Sequence, residues 1–141
     1  MANDPGGGPY EWWQRGVELL ERGDAAAAAV LLERAVEAES GSASSWEALG
    51  RASYDAGRFG RAAEAFARLV ELSPDSHYGH FGLGLSLTRL DRFERGVEHL
   101  AMASVMSPER PEYADRLRQA RATLRARRQA ARDHDLGSQD G

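Results

Sequence analysis

With 141 residues, 42% of them hydrophobic and 28% charged, the chain has the material for one soluble domain with a core. It holds no run of about 18 apolar residues to span a bilayer, its first residues, MANDPGGGP, lack the basic and apolar parts of a secretory leader, and the absence of cysteine excludes disulfides, thiolate catalysis and Cys-ligated zinc. A cytoplasmic protein is therefore expected, and its net charge of −4 is unevenly spread, −6 from Met1 to Pro108 and +2 from Glu109 onward.

Residues 1–8 are Gly-rich, have nothing to bury, and are expected to be disordered. From Pro9 the chain repeats at an interval of 34 residues, over 9–42, 43–76 and 77–110, a period that signals a stacked array. In register, Trp12, Trp46 and His80 coincide, as do Gly16, Gly50 and Gly84, then Gly23, Gly57 and Asp91, then Leu32, Phe66 and Leu100. Each copy reads as a helix, a turn and a second helix. Gly23 and Gly57 end first helices in left-handed backbone, a conformation that Asp91 tolerates. Pro74 and Pro108 close the second and third copies, where the first has Ser40. Ser42 or Ser44, and Asp75 or Ser76, are candidate N-caps. Three interior helix glycines, each costing about 1 kcal/mol against Ala, call for a packing reason. Ala28, Ala62 and Gly96 in the second helices suggest one, a close approach of the paired helices.

A seventh helix is predicted from Pro111 to about Asp133, with Tyr113, Leu117, Ala120 and Leu124 on one face. Arg118 stands at the glycine position, which suits a solvating cap. Beyond Leu124 the stretch RARRQAARDHD has no large apolar residue and is expected to project, followed by a disordered tail over 134–141. Seven arginines from Arg116 to Arg132 follow one another with no acid between them. All 18 basic residues are Arg, a usage that suggests a GC-rich, bacterial genome.

Trp46, Leu49, Gly50, Tyr54, Ala62, Phe66 and Pro74 resemble the tetratricopeptide repeat, whose pattern runs Trp, Leu-Gly, Tyr, Ala, Phe, Pro. The resemblance implies an all-α fold, an α-solenoid of three such repeats with a C-terminal capping helix, wound as a short right-handed superhelix. It also implies a non-catalytic scaffold or adaptor that binds a peptide segment of a protein partner in a concave groove, with no cofactor.

The family's groove places fall on Tyr10, Trp13, Val17, Leu20 and Glu21 in the first repeat, on Ser44, Glu47, Arg51, Tyr54 and Asp55 in the second, and on Tyr78, Phe81, Leu85, Thr88 and Arg89 in the third. Exposed aromatics and Arg anchor interfaces, so Trp13, Tyr78 and Phe81 are the expected anchors. Some of these residues, Tyr54 and Leu20 first, have a second reading as ordinary core. Family members that clamp a C-terminal carboxylate use Lys, Asn and Arg at places that here hold Trp13, Val17, Ala48, Tyr78 and Gly82. Such a clamp is not expected, and a segment with large apolar side chains fits better.

Two further readings stand beside this one. The Arg-rich helix has the charge to bind nucleic acid or an anionic membrane surface, but the aromatic and recognition motifs of nucleic-acid binders are missing from it. Self-association is a variant, because no helix precedes the first repeat. His77 and His80 stand three apart, a spacing two metal ligands can have. No third ligand is evident, packing explains His80 more simply, and no metal or catalytic residue is assigned.

Overall fold

The computed structural model describes residues 6–140; residues 1–5 and 141, and those parts of the expected disordered termini, lie outside the described residues. Seven helices make up the described chain: α1 (Pro9–Glu21), α2 (Ala25–Ala38), α3 (Ala43–Asp55), α4 (Phe59–Leu72), α5 (His77–Arg89), α6 (Phe93–Met106) and α7 (Pro111–Asp140). Their starts at 9, 43, 77 and 111, and at 25, 59 and 93, reproduce the 34-residue period without a slip.

Local chemistry explains the boundaries. Ser42 accepts from the Ser45 N–H at 3.3 Å and Ser76 from the Gly79 N–H at 2.9 Å, so these two are the N-caps of α3 and α5. The turns within repeats are copies of one another. Gly23, Gly57 and Asp91 have φ of 81°, 78° and 63°, and the next N–H in each case donates to the carbonyl of Leu19, Ser53 or Leu87 at 2.8 Å. That bond satisfies a helix-end carbonyl that would otherwise lack a partner.

The interior glycines do mark a close approach, though with a different contact from the one expected. A Cβ on Gly16 would lie 2.7 Å from Leu32, and one on Gly50 would lie 2.8 Å from Phe66, the large residue of the facing helix rather than its alanine. Only in repeat three do two glycines meet, where a Cβ on Gly84 would come within 3.0 Å of the Gly96 carbonyl.

The core runs the length of the stack. Leu32, Phe66 and Leu100 are buried, with Ala35, Leu69 and Ala103 beside them. The outward face of α1 is polar: Glu11, Gln14 and Glu18 are exposed where α3 buries Ser45, Ala48 and Ala52. Such a face suits contact with water rather than burial against another helix.

Two differences concern the termini. Gly6 and Gly8, expected to be disordered, are fastened to α1: the Trp12 Nε1–H donates to the Gly6 carbonyl at 3.1 Å, and the Gly8 N–H donates to Glu11 Oε2 at 3.1 Å. At the other end α7 runs through the expected tail to Asp140. Its middle is held by Arg127, which pairs with Asp91 at 3.0 Å and lies over the Phe93 ring at 4.5 Å, and by Arg128, 3.9 Å from Glu94.

Candidate functional site

The first helices of the repeats stand in a row, α1 touching α3, α3 touching α5, and α5 touching α7. An open cleft of about 420 Å³ crosses the first three. Trp13 and Val17 form one wall, Tyr78 the other, and Ser44, Glu47 and Arg51 lie between them. Helical spacing produces this arrangement, since side chains four apart stack on one face. The indole of Trp13 is fixed, its Nε1–H donating to the Ser44 carbonyl at 3.2 Å, and Tyr10 tilts against it at 5.8 Å between ring centres.

Beside this cleft, sharing Arg51 and Tyr78 with it, lies a smaller apolar pit of about 50 Å³. Tyr54, Phe81, Gly82 and Leu85 line it, Phe66 forms part of it, and Asp55 is also on its wall. Gly82 is needed there, because a Cβ would stand 2.5 Å from the Phe66 ring. Burial pushes the Tyr78 phenol above the ordinary tyrosine range; Arg51 opposes this, and Glu47 and Asp55 add to it. The hydroxyl therefore stays protonated at neutral pH and can donate a hydrogen bond.

Of the groove residues expected from sequence, Trp13, Val17, Leu20, Ser44, Glu47, Arg51, Tyr54, Asp55, Tyr78, Phe81 and Leu85 line these two adjoining spaces. Tyr10, 64% exposed, borders a separate cleft with Trp13 and Ser42 at the α1 edge. Arg89 and Thr88 belong to a third cleft between α5, α6 and α7, and Glu21 is exposed outside all three. Leu20 packs in the core with Leu32 and Leu49 while also lining the larger cleft, so both of its readings hold. One expectation needs correction. Phe81 is not a free anchor, because its ring stacks on Tyr113 of α7 at 4.3 Å.

Three of the four histidines, His77, His80 and His99, are accounted for by hydrogen bonds. The Nε1–H of Trp46 donates to the Ser40 carbonyl at 2.7 Å, and His80 places Nε2 3.0 Å from the equivalent Pro74 carbonyl. A carbonyl only accepts, so His80 carries its proton on Nε2, and Nδ1 accepts from His99 Nδ1 at 3.1 Å. His77 Nδ1 lies 2.8 Å from the Tyr113 hydroxyl instead. The two residues three apart thus face different partners. Among the described residues no group of three or more His, Asp or Glu side chains is arranged to hold a metal ion.

Sequence reasoning missed the part played by α7 in the row. Arg116, Gln119 and Thr123 line the third cleft, and extending the register past Arg110 would have found them. It also missed Met102, Val105 and Met106, exposed on the outer side of α6 where the other repeats carry charges such as Arg68 and Glu71.

Architecture and site together define an all-α repeat solenoid with an open, mixed apolar and charged face along its first helices. A tetratricopeptide repeat model matches residues 14–77 and 48–111, together well over half of the chain, and the protein belongs to the tetratricopeptide repeat family. Comparison with curated proteins finds no match. Among solved structures, the first tetratricopeptide domain of Spaghetti (RPAP3), bound to the HSP90 peptide SRMEEVD, is similar with a TM-score of 0.78 at 15% identity, covering 82% of this chain and 92% of that one. YrrB, described as a tetratricopeptide protein with an unusual peptide-binding site, gives 0.73 at 19% identity, covering 79% and 57%. MamA gives 0.78 at 18% identity, covering 88% and 72%. At these identities the likeness speaks for the fold. Among the described residues no helix is long and apolar enough to cross a membrane.

Proposed function

We propose that the protein is a non-catalytic adaptor that holds an extended segment of a partner protein in the face formed by α1, α3 and α5. The observation that carries this reading is the cleft of about 420 Å³ between Trp13 and Tyr78. Its aromatic walls are held in place, Trp13 by the Ser44 carbonyl and Tyr78 by edge contact with Phe66 at 5.9 Å. Such pre-positioned aromatics lose little freedom on binding and exclude water from whatever they enclose.

Glu47, Arg51 and Asp55 follow at four-residue spacing along α3, exposed, and form no ion pair among the described residues. They remain available to a ligand's own charges or backbone. The YrrB and RPAP3 domains named above are described as peptide-binding, which agrees with this reading.

The test is partner recovery from a lysate of the source organism with the parent chain and the Trp13→Ala, Tyr78→Ala double variant, matched for helix content. Partners lost only from the double variant are the expected result; unchanged recovery would sink the reading. Phe81→Ala is the control, since it removes packing against Tyr113 rather than a free anchor.

A further inference from the structure

We propose that the cleft where the row of first helices reaches α7 is a carboxylate-recognition site, with Arg89 and Arg116 as the binding residues and an acidic side chain of the bound segment as the ligand. The inference rests on the groove reading for what delivers the carboxylate, but not for the binding of a carboxylate as such. The cleft encloses about 230 Å³, and two guanidinium-bearing side chains line it with no carboxylate among the lining residues.

Four acids at the turn before α6, on α6 and on α7 are already engaged. Arg127 holds Asp91, Arg128 approaches Glu94, Arg110 approaches Glu112, and Arg118 holds Asp115. Arg89 has its guanidinium over the Phe59 ring at 4.3 Å, and among the described residues neither it nor Arg116 forms an ion pair. Two guanidinium-bearing side chains without a carboxylate partner thus line one cleft.

The remaining lining narrows the ligand. Thr88 donates its hydroxyl proton to the Leu85 carbonyl at 2.8 Å, and Thr123 donates to the Gln119 carbonyl at 3.1 Å. The neutral donor left facing the cleft is the Gln119 side-chain amide. Leu85, Phe93 and Ala120 form an apolar floor. A planar carboxylate on a short methylene stem satisfies both halves: the Arg forks engage its two oxygens, and the floor covers the stem. Inorganic phosphate would bring charge but nothing for the floor.

The probe is glutarate, titrated into the full chain at low salt while the Arg Nε–H resonances are followed by NMR, with glutaramide and inorganic phosphate as comparisons. Saturable movement of the Arg89 and Arg116 signals by glutarate is expected, with little response to glutaramide. Arg116→Gln should weaken the response at Arg89 on the order of tenfold, the loss of one charge-assisted pair. Equal response to glutaramide, equal movement of Arg121 and Arg125, or tighter binding of phosphate than of glutarate would each overturn the assignment. Arg89→Gln, read at Arg116, serves if Arg116→Gln does not fold. Glutarate binding with partner recovery unchanged in the Trp13, Tyr78 variant would leave this site standing and remove the groove reading; the reverse pattern would do the opposite.

Discussion

In repeat two, Trp46 packs against a core that includes the small, fully buried Ala65, and its indole N–H reaches the Ser40 carbonyl at 2.7 Å. In repeat three the same two register positions hold His80 and His99, and His80 makes the equivalent bond to Pro74 at 3.0 Å. A large residue and a small one have been exchanged for two of middle size. The second ring supplies the volume that the first has lost, and the hydrogen bond to the preceding loop survives. What the array requires at this place is therefore a ring N–H pointing at the loop carbonyl and a filled space. The exchange adds one property that repeat two lacks, a titratable pair inside the packing.

The residue both repeats depend on is Phe66. It is 2% exposed, fills the space left by Gly50 in its own repeat and by Gly82 in the next, and meets the edge of Tyr78. Phe66→Ala is expected to produce the largest loss, about 3–5 kcal/mol, measured by urea unfolding, and to loosen the wall of the peptide cleft at the same time. A loss below about 1 kcal/mol would mean that the two repeats are coupled elsewhere.

A smaller difference should separate the two glycine contacts. Gly→Ala within a helix gains about 1 kcal/mol from propensity, and overpacking costs about 1–3 kcal/mol. At Gly50 the obstacle is a side chain alone, the Phe66 ring; at Gly84 it is Leu100 together with the Gly96 backbone. Gly84→Ala is accordingly expected to destabilise by about 1–2 kcal/mol and Gly50→Ala by clearly less. Equal losses would show that the facing backbone in repeat three yields as readily as a side chain.

Legibility in the sequence followed the same division. Period, turns and helix pairs could be read because Gly23, Gly57, Pro74 and Pro108 act through their own backbones, and local chemistry leaves a local mark. Leu20 and Phe81 were harder. Both occupy groove register and line its spaces, and what takes up much of each side chain is a neighbour distant in sequence: the core beneath α1 for Leu20, and Tyr113 for Phe81. The His80–His99 bond was hidden for the same reason, since nothing near either residue announces the other. The length of α7 went unread because its anchors, Arg127 and Arg128, were counted as charge on a solvated face, whereas their partners Asp91 and Glu94 stand at the turn and first residues of another helix pair.

The histidine pair offers a test by pH. Burial, then the neighbouring charge of His80 and of Arg95, hold the His99 pKa below the ordinary histidine value, with Glu98 opposing. A base with a lowered folded pKa binds fewer protons folded than unfolded. Its stabilising contribution is complete above about pH 6.5 and is lost as pH falls through the folded value. His99→Gln retains an N–H donor and does not titrate. The expected outcome is a shallower fall in melting temperature between neutral and mildly acid pH than in the parent. Parallel curves would remove His99 from the account.

The smallest expected effect lies at the turn of repeat three, where two terms nearly cancel. Asp91 holds φ of 63° where the other repeats have Gly, so Asp91→Gly relieves left-handed strain of about 1 kcal/mol. It also removes the pairing with Arg127, whose partners are 51% and 71% exposed, and an exposed pair contributes about 0.2–1 kcal/mol. The net change in unfolding free energy should stay within about 0.5 kcal/mol. Asp91→Asn separates the two terms, because Asn tolerates the same backbone without the charge. If the ion pair is what ties α7 to this turn, both variants should increase amide exchange in α7 around Arg127 while leaving α5 unchanged. Protection retained in both would assign the anchoring to the Arg127–Phe93 contact, and Phe93→Leu should then release it.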